Sequence, residues 1–420
     1  ALLPAHFSSD HRLAAFGSAS AGLTLQRRFA RGLAIEAGVE YYTRADGLHA
    51  GGGTDASYAD FDFTMANVAL TYDLGAAARR ARRETTSAHA DHGSHNQHTA
   101  HLAPAGLMFT HAGEPRGSFM SGYRASHQRQ YGDMLHGSHS VADGAVVAQG
   151  CAAATPCSVA PARMTMTMHM LDLMYAVSDT TTLMLMPQYM TMDMRQRRLA
   201  GGPPPQPGAH NHEGASHTTG AIGDTLVAAL FALQNSAAHT LQASLGISIP
   251  TGKTDRTYRR AFQTDGGLLH YDMQSGSGTW DLVPSLTWQA TRDTWQLGAQ
   301  LSGIKRLEDR NASGYRLGDQ VQLSAWTLRP VNDHLSLSLR AQWQHRDAID
   351  GAFNAYNAAS GPMDFPANQG GEFVDLGIGV NVNFAGSTLA LEWLAPVHED
   401  VNGFQLERQG SLAATWHYNY

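Results

Sequence analysis

Met164-Thr-Met-Thr-Met-His-Met-Leu-Asp-Leu-Met-Tyr175, followed after a short turn at Ser178–Thr180 by Leu183-Met-Leu-Met-Pro-Gln-Tyr-Met-Thr-Met-Asp-Met194, decides how this chain folds. Ten of the sixteen methionines lie here, all at even-numbered positions. A period of two is that of a β-strand, whose successive side chains point to opposite faces, so each run sets its thioethers on one face. Asp172 and Gln188 share that face, whereas Leu171, Leu173, Tyr175, Leu183, Leu185 and Tyr189 take the other. The second face turns polar towards the far ends, at Thr165, Thr167, His169, Thr191 and Asp193. In a barrel this pattern places the methionines inside, beside polar groups.

The same alternation recurs along the chain. Leu241, Ala243, Leu245, Ile247 and Ile249 oppose Thr240, Gln242, Ser244 and Ser248, and Leu335, Leu337, Leu339 and Trp343 oppose Ser336, Ser338, Arg340 and Gln342. From Pro104 onward the pattern predicts twelve strands: about 106–127, 163–177, 181–195, 219–233, 238–250, 278–290, 294–305, 315–329, 333–346, 371–384, 387–397 and 408–420. Long links (128–162, 196–218, 251–277, 306–314, 347–370, 398–407) alternate strictly with short ones. An even strand count with tight turns at one end and long loops at the other is the habit of transmembrane outer-membrane β-barrels. The final strand alternates Leu412, Ala414, Trp416, Tyr418 and Tyr420 with smaller or polar residues and ends on an aromatic. Trp280, Trp288, Trp295, Trp343 and Trp393 near strand ends fit interfacial girdles. The fold class is therefore all-β, an antiparallel barrel of about twelve strands in the bacterial outer membrane, with lipid as its first partner.

Composition agrees. Charged residues are only 15%, and no apolar run reaches the 18 residues of a membrane helix. A net charge of −7 without a basic patch argues against nucleic acid. The opening Ala-Leu-Leu-Pro lacks the features of a signal peptide, so the sequence reads as a mature or trimmed product. Cys151 and Cys157, six apart, fit a small loop-closing disulfide of an oxidising compartment better than a zinc site.

Residues 1–78 hold three further strands, about 11–29, 33–45 and 60–74, readable as a remnant of another barrel, an insertion into one larger barrel, or a separate fold. Residues 79–103 form a histidine-rich linker. Asp10-His-Arg-Leu-Ala-Ala-Phe-Gly-Ser18, Gly38-Val-Glu-Tyr-Tyr42 and the ending near Leu74 resemble the C-terminal end of an uncharacterised bacterial outer-membrane barrel family. From about 104 to 420 the chain resembles transporter-like outer-membrane barrels of the phenol-degradation meta-pathway type. That resemblance rests on Gly117-Ser-Phe-Met-Ser-Gly-Tyr-Arg124, the methionine runs, Ile249-Pro-Thr-Gly-Lys253, Tyr315-Arg-Leu-Gly-Asp319 and Asn402-Gly-Phe-Gln-Leu-Glu407. It implies passage of a small molecule. Many members carry Met-Gly-Asp-His-Met-His near the first strand; Leu107-Met-Phe-Thr-His-Ala112 here departs from it, which thins any ligand set at that place.

Thioethers are soft ligands that favour Cu(I) and need no deprotonation. Met164, Met166, Met168, Met170, Met174, Met184, Met186, Met190, Met192 and Met194, with Met120 on the preceding strand, therefore form a candidate lining for copper or another soft metal. The same side chains would serve as a greasy path for aromatic or apolar solutes, or as adaptable packing. His89, His92, His95, His98 and His101 recur every third residue, the period of an extended polyproline-like chain, and form a second metal-binding candidate of little selectivity. No nucleophile elbow, zinc helix or phosphate loop appears, so no enzyme is expected. A structural barrel that scaffolds a periplasmic partner is the third alternative.

Overall fold

The computed structural model describes residues 18–28, 33–44, 61–72, 103–152, 156–204, 216–236, 238–257, 267–355, 360–384 and 387–419. The chain folds as two units, Ala1–Gln97 and His98–Tyr420. In the first, β1 (Ser18–Arg28), β2 (Leu33–Arg44) and β3 (Phe61–Tyr72) make an antiparallel meander with Ser18 opposite Arg44 and Leu33 opposite Tyr72. The histidine run from His89 to His101 lies outside the described residues.

Among the described residues the second unit is mostly strand. Its strands are β4 (Phe119–Gly137), β5 (His139–Val141), β6 (Val159–Ser178), β7 (Thr181–Met186), β8 (Gln188–Arg198), β9 (Ser216–Ile222), β10 (Thr225–Asn235) and β11 (His239–Ile249). There follow β12 (Asp281–Arg292), β13 (Trp295–Arg306), β14 (Tyr315–Arg316), β15 (Gln320–Pro330), β16 (Leu335–Arg346), β17 (Asp350–Gly351), β18 (Gly371–Phe384) and β19 (Ser387–Asn419). One helix, α1 (Asp143–Gln149), sits in a loop. Eleven strand elements close an antiparallel ring in the order β4-β19-β18-β16-β15-β13-β12-β11-β10-β7-β6, with β6 returning to β4. β8 prolongs β7 beyond Pro187, where the ring nitrogen has no hydrogen to give the ladder, and β9 leads into β10 through Gly223–Asp224.

β19 corrects the expectation of a long loop at 398–407. It runs out and back as one hairpin: residues 387–401 pair with β18 and residues 401–419 with β4. Gly403, at φ 58°, makes the reversal, and Arg408 bonds Glu399 across it (2.7 Å). The other ten elements cross the wall once and β19 crosses twice, so twelve staves surround the lumen. A second correction concerns the first strand, expected at 106–127, which starts at Phe119. Pro104 and Pro115 lack donors, and Gly113 and Gly117 take φ of 84° and 85°, so residues 103–118 cannot hold a ladder and run inside the ring instead.

Polarity is inverted relative to a water-soluble domain. Leu171, Leu301 and Ile378 are 44%, 50% and 59% exposed on the outer wall, whereas Ser324, Asn381 and Arg340 turn inward and are buried. A closed ring leaves no strand edge unpaired, and its apolar exterior is suited only to hydrocarbon. The unit is an outer-membrane β-barrel. Trp280, Trp288, Trp295 and Trp393 are exposed on the outer wall, as girdle residues must be, while Trp326 faces in. Tight connections such as Asp179–Thr180 and Asp293–Thr294 mark the periplasmic end, and the long loops mark the outer end.

Candidate functional site

The methionine hairpin builds one side of the lumen. Across β6 and β8 the register pairs Met164 with Met194, Met166 with Met192, Met168 with Met190, and Met170 with Gln188; across β6 and β7 it pairs Met174 with Met184. Met120 on β4 lies opposite Met174. Cross-strand partners on one face stand about 5 Å apart, so these thioethers form a ladder two or three wide. On the reverse face Leu171, Tyr175, Leu183, Leu185 and Tyr189 are exposed, as the alternation requires.

Burial divides the ladder into three tiers. Nearest the periplasmic end, Met120, Met174, Met184 and Met186 pack with Phe109, Leu226, Leu230 and Val283 in a closed apolar cluster. Nearest the outer end, Met164, Met192 and Met194 are buried against Leu269, Met273 and Met363 from two outer loops. Between them Met166, Met168, Met170 and Met190 are only half-buried. They face a cavity of about 520 Å³ that Met164, Met186, Met192 and Met194 also line.

The facing wall is polar. A second cavity of about 390 Å³ shares Met168, Met170, Gln128, Gln320, Arg346 and Gln405 with the first and is otherwise lined by such groups as Gln300, Gln322, Gln342 and Gln344. Its guanidiniums are mostly matched: Arg124 pairs with Asp172, Arg340 with Glu392 (2.9 Å), and Arg408 with Asp375 (2.8 Å) and Glu399 (2.7 Å). Arg306 pairs with Asp281 at the first cavity. The lumen is thus two-sided, with thioether on β6–β8 and amide and paired charge on β13–β19.

Segment 103–118 fills the periplasmic half. Because it makes no ladder, its backbone groups are met by inward side chains, as buried peptide groups require. Asn381 Nδ2 donates to the Ala103 carbonyl (3.2 Å), Gln300 Nε2 to that of Met108 (2.7 Å), and Gln242 Nε2 to that of Phe109 (2.8 Å). Arg124 donates to the Leu107 carbonyl and Thr415 to that of Ala105. The amide of Gly106 donates to Glu392 (3.1 Å) and that of Ala112 to Gln242 Oε1 (3.0 Å). Phe109, at the centre of the plug, holds a φ of 60°, a strained value for a bulky residue.

The outer loops form a lid on the other side. His270 Nδ1 lies 2.5 Å from Asp364 Oδ1, and His270 Nε2 lies 2.8 Å from Gln196 Nε2, all three residues being buried. Burial alone would push this imidazole down; the Asp364 carboxylate outweighs it and holds His270 above its ordinary value. Burial would raise Asp364, but His270 and the amides of Ser360 and Gly361 hold its carboxyl below the usual range. His217, opposite Met194 on β9, brings its ring to 5.7 Å from that of His270.

Among the expected site residues, Met164, Met166, Met168, Met170, Met186, Met190, Met192 and Met194 come together around one cavity, whereas Met120, Met174 and Met184 lie beneath the plug and do not line it. His127 and His136 sit on β4, bonded to Thr167 Oγ1 (2.8 Å) and the Gly403 carbonyl (3.0 Å). Cys151 and Cys157 are disulfide-bonded, with Cα atoms 5.3 Å apart, beside α1. No cluster of three or more His, Cys, Asp or Glu side chains placed to hold a metal occurs among the described residues. Met108, Met273, Met363, Arg346 and His270 escaped the sequence reading. The methionines among them come from plug and loops, where no period marks them.

Comparison with known proteins adds a limited frame. The family described as "Protein of unknown function (DUF3570)" matches residues 1–65, and no curated protein matches the chain. Among solved structures, the COG4313 outer membrane channel of Pseudomonas putida F1 is 14% identical, with 74% of this chain and 97% of that one covered at a TM-score of 0.47. The P. putida toluene transporter TodX is 12% identical over 73% and 91%, with a TM-score of 0.34. A Pseudomonas aeruginosa FadL homologue is 11% identical over 73% and 90%, with a TM-score of 0.32. Likeness this remote says nothing of cargo, and the barrel rests on its own ladder.

Proposed function

We propose that this barrel binds and passes small organic solutes with an apolar or aromatic body, held against the methionine wall and released past the plug at 103–118. The carrying observation is the cavity of about 520 Å³ lined by ten methionines, eight of them from the hairpin. That volume falls within the range of roughly 300–1,000 Å³ typical of small-molecule sites and is far larger than a metal ion needs. Methionine is flexible and polarizable, so it follows the shape of varied rings and makes favourable sulfur–aromatic contacts.

A second reading, a soft-metal site for Cu(I), is favoured by the three consecutive cross-strand pairs 164/194, 166/192 and 168/190. One set of variants separates the two. Replacing Met164, Met166, Met168, Met170, Met190, Met192 and Met194 together by leucine keeps the wall apolar but removes the sulfur of all three pairs. On the organic-solute reading, 3-phenylpropanol binding to the purified barrel, followed by calorimetry, changes less than about threefold, since volume-conserving apolar swaps are mild. On the metal reading, Cu(I) retained against a chromogenic chelator is lost in the variant. A wild-type barrel that takes up Cu(I) but no alcohol would overturn the primary reading.

A further inference from the structure

Arg346 is the last residue of β16 and belongs to its inward face with Ser336, Ser338, Arg340, Gln342 and Gln344. Its side chain is exposed and lines both cavities, so it faces the open lumen where they meet. Arg124, Arg306, Arg340 and Arg408 are each matched to a carboxylate. Arg346 has no carboxylate within ion-pair distance and donates no side-chain hydrogen bond among the described residues. Arg306 and Arg408 are near enough for their charges to act on it, but each has its own carboxylate, whereas Arg346 has none. A guanidinium stays charged at any physiological pH and presents five donors in a fork that matches a carboxylate. Asp224, Asp272, Asp281 and Asp347 also line the larger cavity: Asp281 is matched to Arg306, Asp224 accepts from the Ser277 hydroxyl (2.8 Å), Asp347 lies 3.1 Å from His345, and burial pushes the Asp272 carboxyl up from its ordinary value.

From this geometry we infer that the lumen takes an amphipathic organic anion: its acidic head pairs with Arg346 while its apolar body lies on the methionine wall. β16 and β6 stand nearly opposite in the ring, so one molecule filling the larger cavity touches both. The inference rests on the organic-solute reading and narrows it from apolar solutes to those with one negative charge.

The test is calorimetric titration of the purified barrel with 3-phenylpropionate and with 3-phenylpropanol, an uncharged molecule of nearly the same shape. The wild type is expected to bind the acid at least about tenfold more tightly than the alcohol, the effect of one charge-assisted hydrogen-bonded pair. Arg346→Gln should erase that preference, bringing the acid's affinity down to that of the alcohol. Arg346→Lys, which keeps the charge but loses the fork, should retain part of it and guards against a glutamine variant that fails to fold. Native barrel mobility on unheated gels confirms folding of each. If the wild type binds the alcohol but the acid no better, or if Arg346→Gln leaves the preference intact, the inference falls and the broader reading stands. If the wild type binds neither compound, both fall together.

Discussion

His270 and Asp364 show at the scale of single residues how the lid is held. Each comes from a different outer loop and each is buried, so removing one partner leaves an uncompensated charge in the interior. Asp364→Asn is expected to destabilise the folded barrel by about 3–5 kcal/mol, seen as a lower midpoint in urea unfolding. The pair also imposes a pH window. His270 is raised in the folded state, so its contribution is complete below the unfolded value near 6.5 and is lost as pH rises through the raised one. Asp364 is lowered, so its contribution is present above the unfolded value near 3.8 and is lost as pH falls through the depressed one. Lid stability should therefore be greatest between about pH 4 and 6.5 and should decline on both sides, and His270→Gln should flatten the alkaline limb. A His270 imidazole that titrates below 6.5 by NMR would refute this assignment.

At the scale of elements, the plug is the segment whose fastening is most open to test. Gln242 holds it twice, through the Phe109 carbonyl and the Ala112 amide. Gln242→Leu leaves both backbone groups unsatisfied, at about 1–3 kcal/mol for each. Phe109 already carries left-handed strain of order 1–3 kcal/mol, which leaving the pocket would relieve. Planar-bilayer recordings are expected to show a largely closed wild-type barrel and frequent openings in Gln242→Leu. Equal conductance in both would mean that the plug does not gate the lumen. The methionine hairpin, by contrast, was legible in detail. A strict two-residue period leaves a strand only two ways to face, and the opposing leucines and tyrosines settle which side meets lipid. Residues 106–118, expected as the start of a strand, instead find their partners in inward side chains on distant staves, which no local pattern announces.

For the whole molecule, inverted polarity and the alternation of long and short links made the barrel readable before any coordinates. Strand ends were less so, because β4, β6 and β19 run on into what the pattern marked as loops, where Gly132, Pro161 and Gly403 interrupt the period of two. Arg346 was invisible for another reason: an arginine among glutamines on a lumenal face looks like its paired neighbours until the carboxylates around each are located. The disulfide was readable from spacing, and its loop is short. Cys151→Ser with Cys157→Ser should leave the ring folded and lower stability by no more than about 2 kcal/mol, as loop entropy for so small a closure allows. The account as a whole depends on sulfur facing the lumen and hydrocarbon facing the lipid along β6. Single-cysteine variants Met168→Cys and Leu171→Cys, reconstituted in lipid and exposed to a small water-soluble maleimide, measure this directly. Labelling of Met168→Cys with protection of Leu171→Cys is the predicted result; the reverse pattern would contradict it.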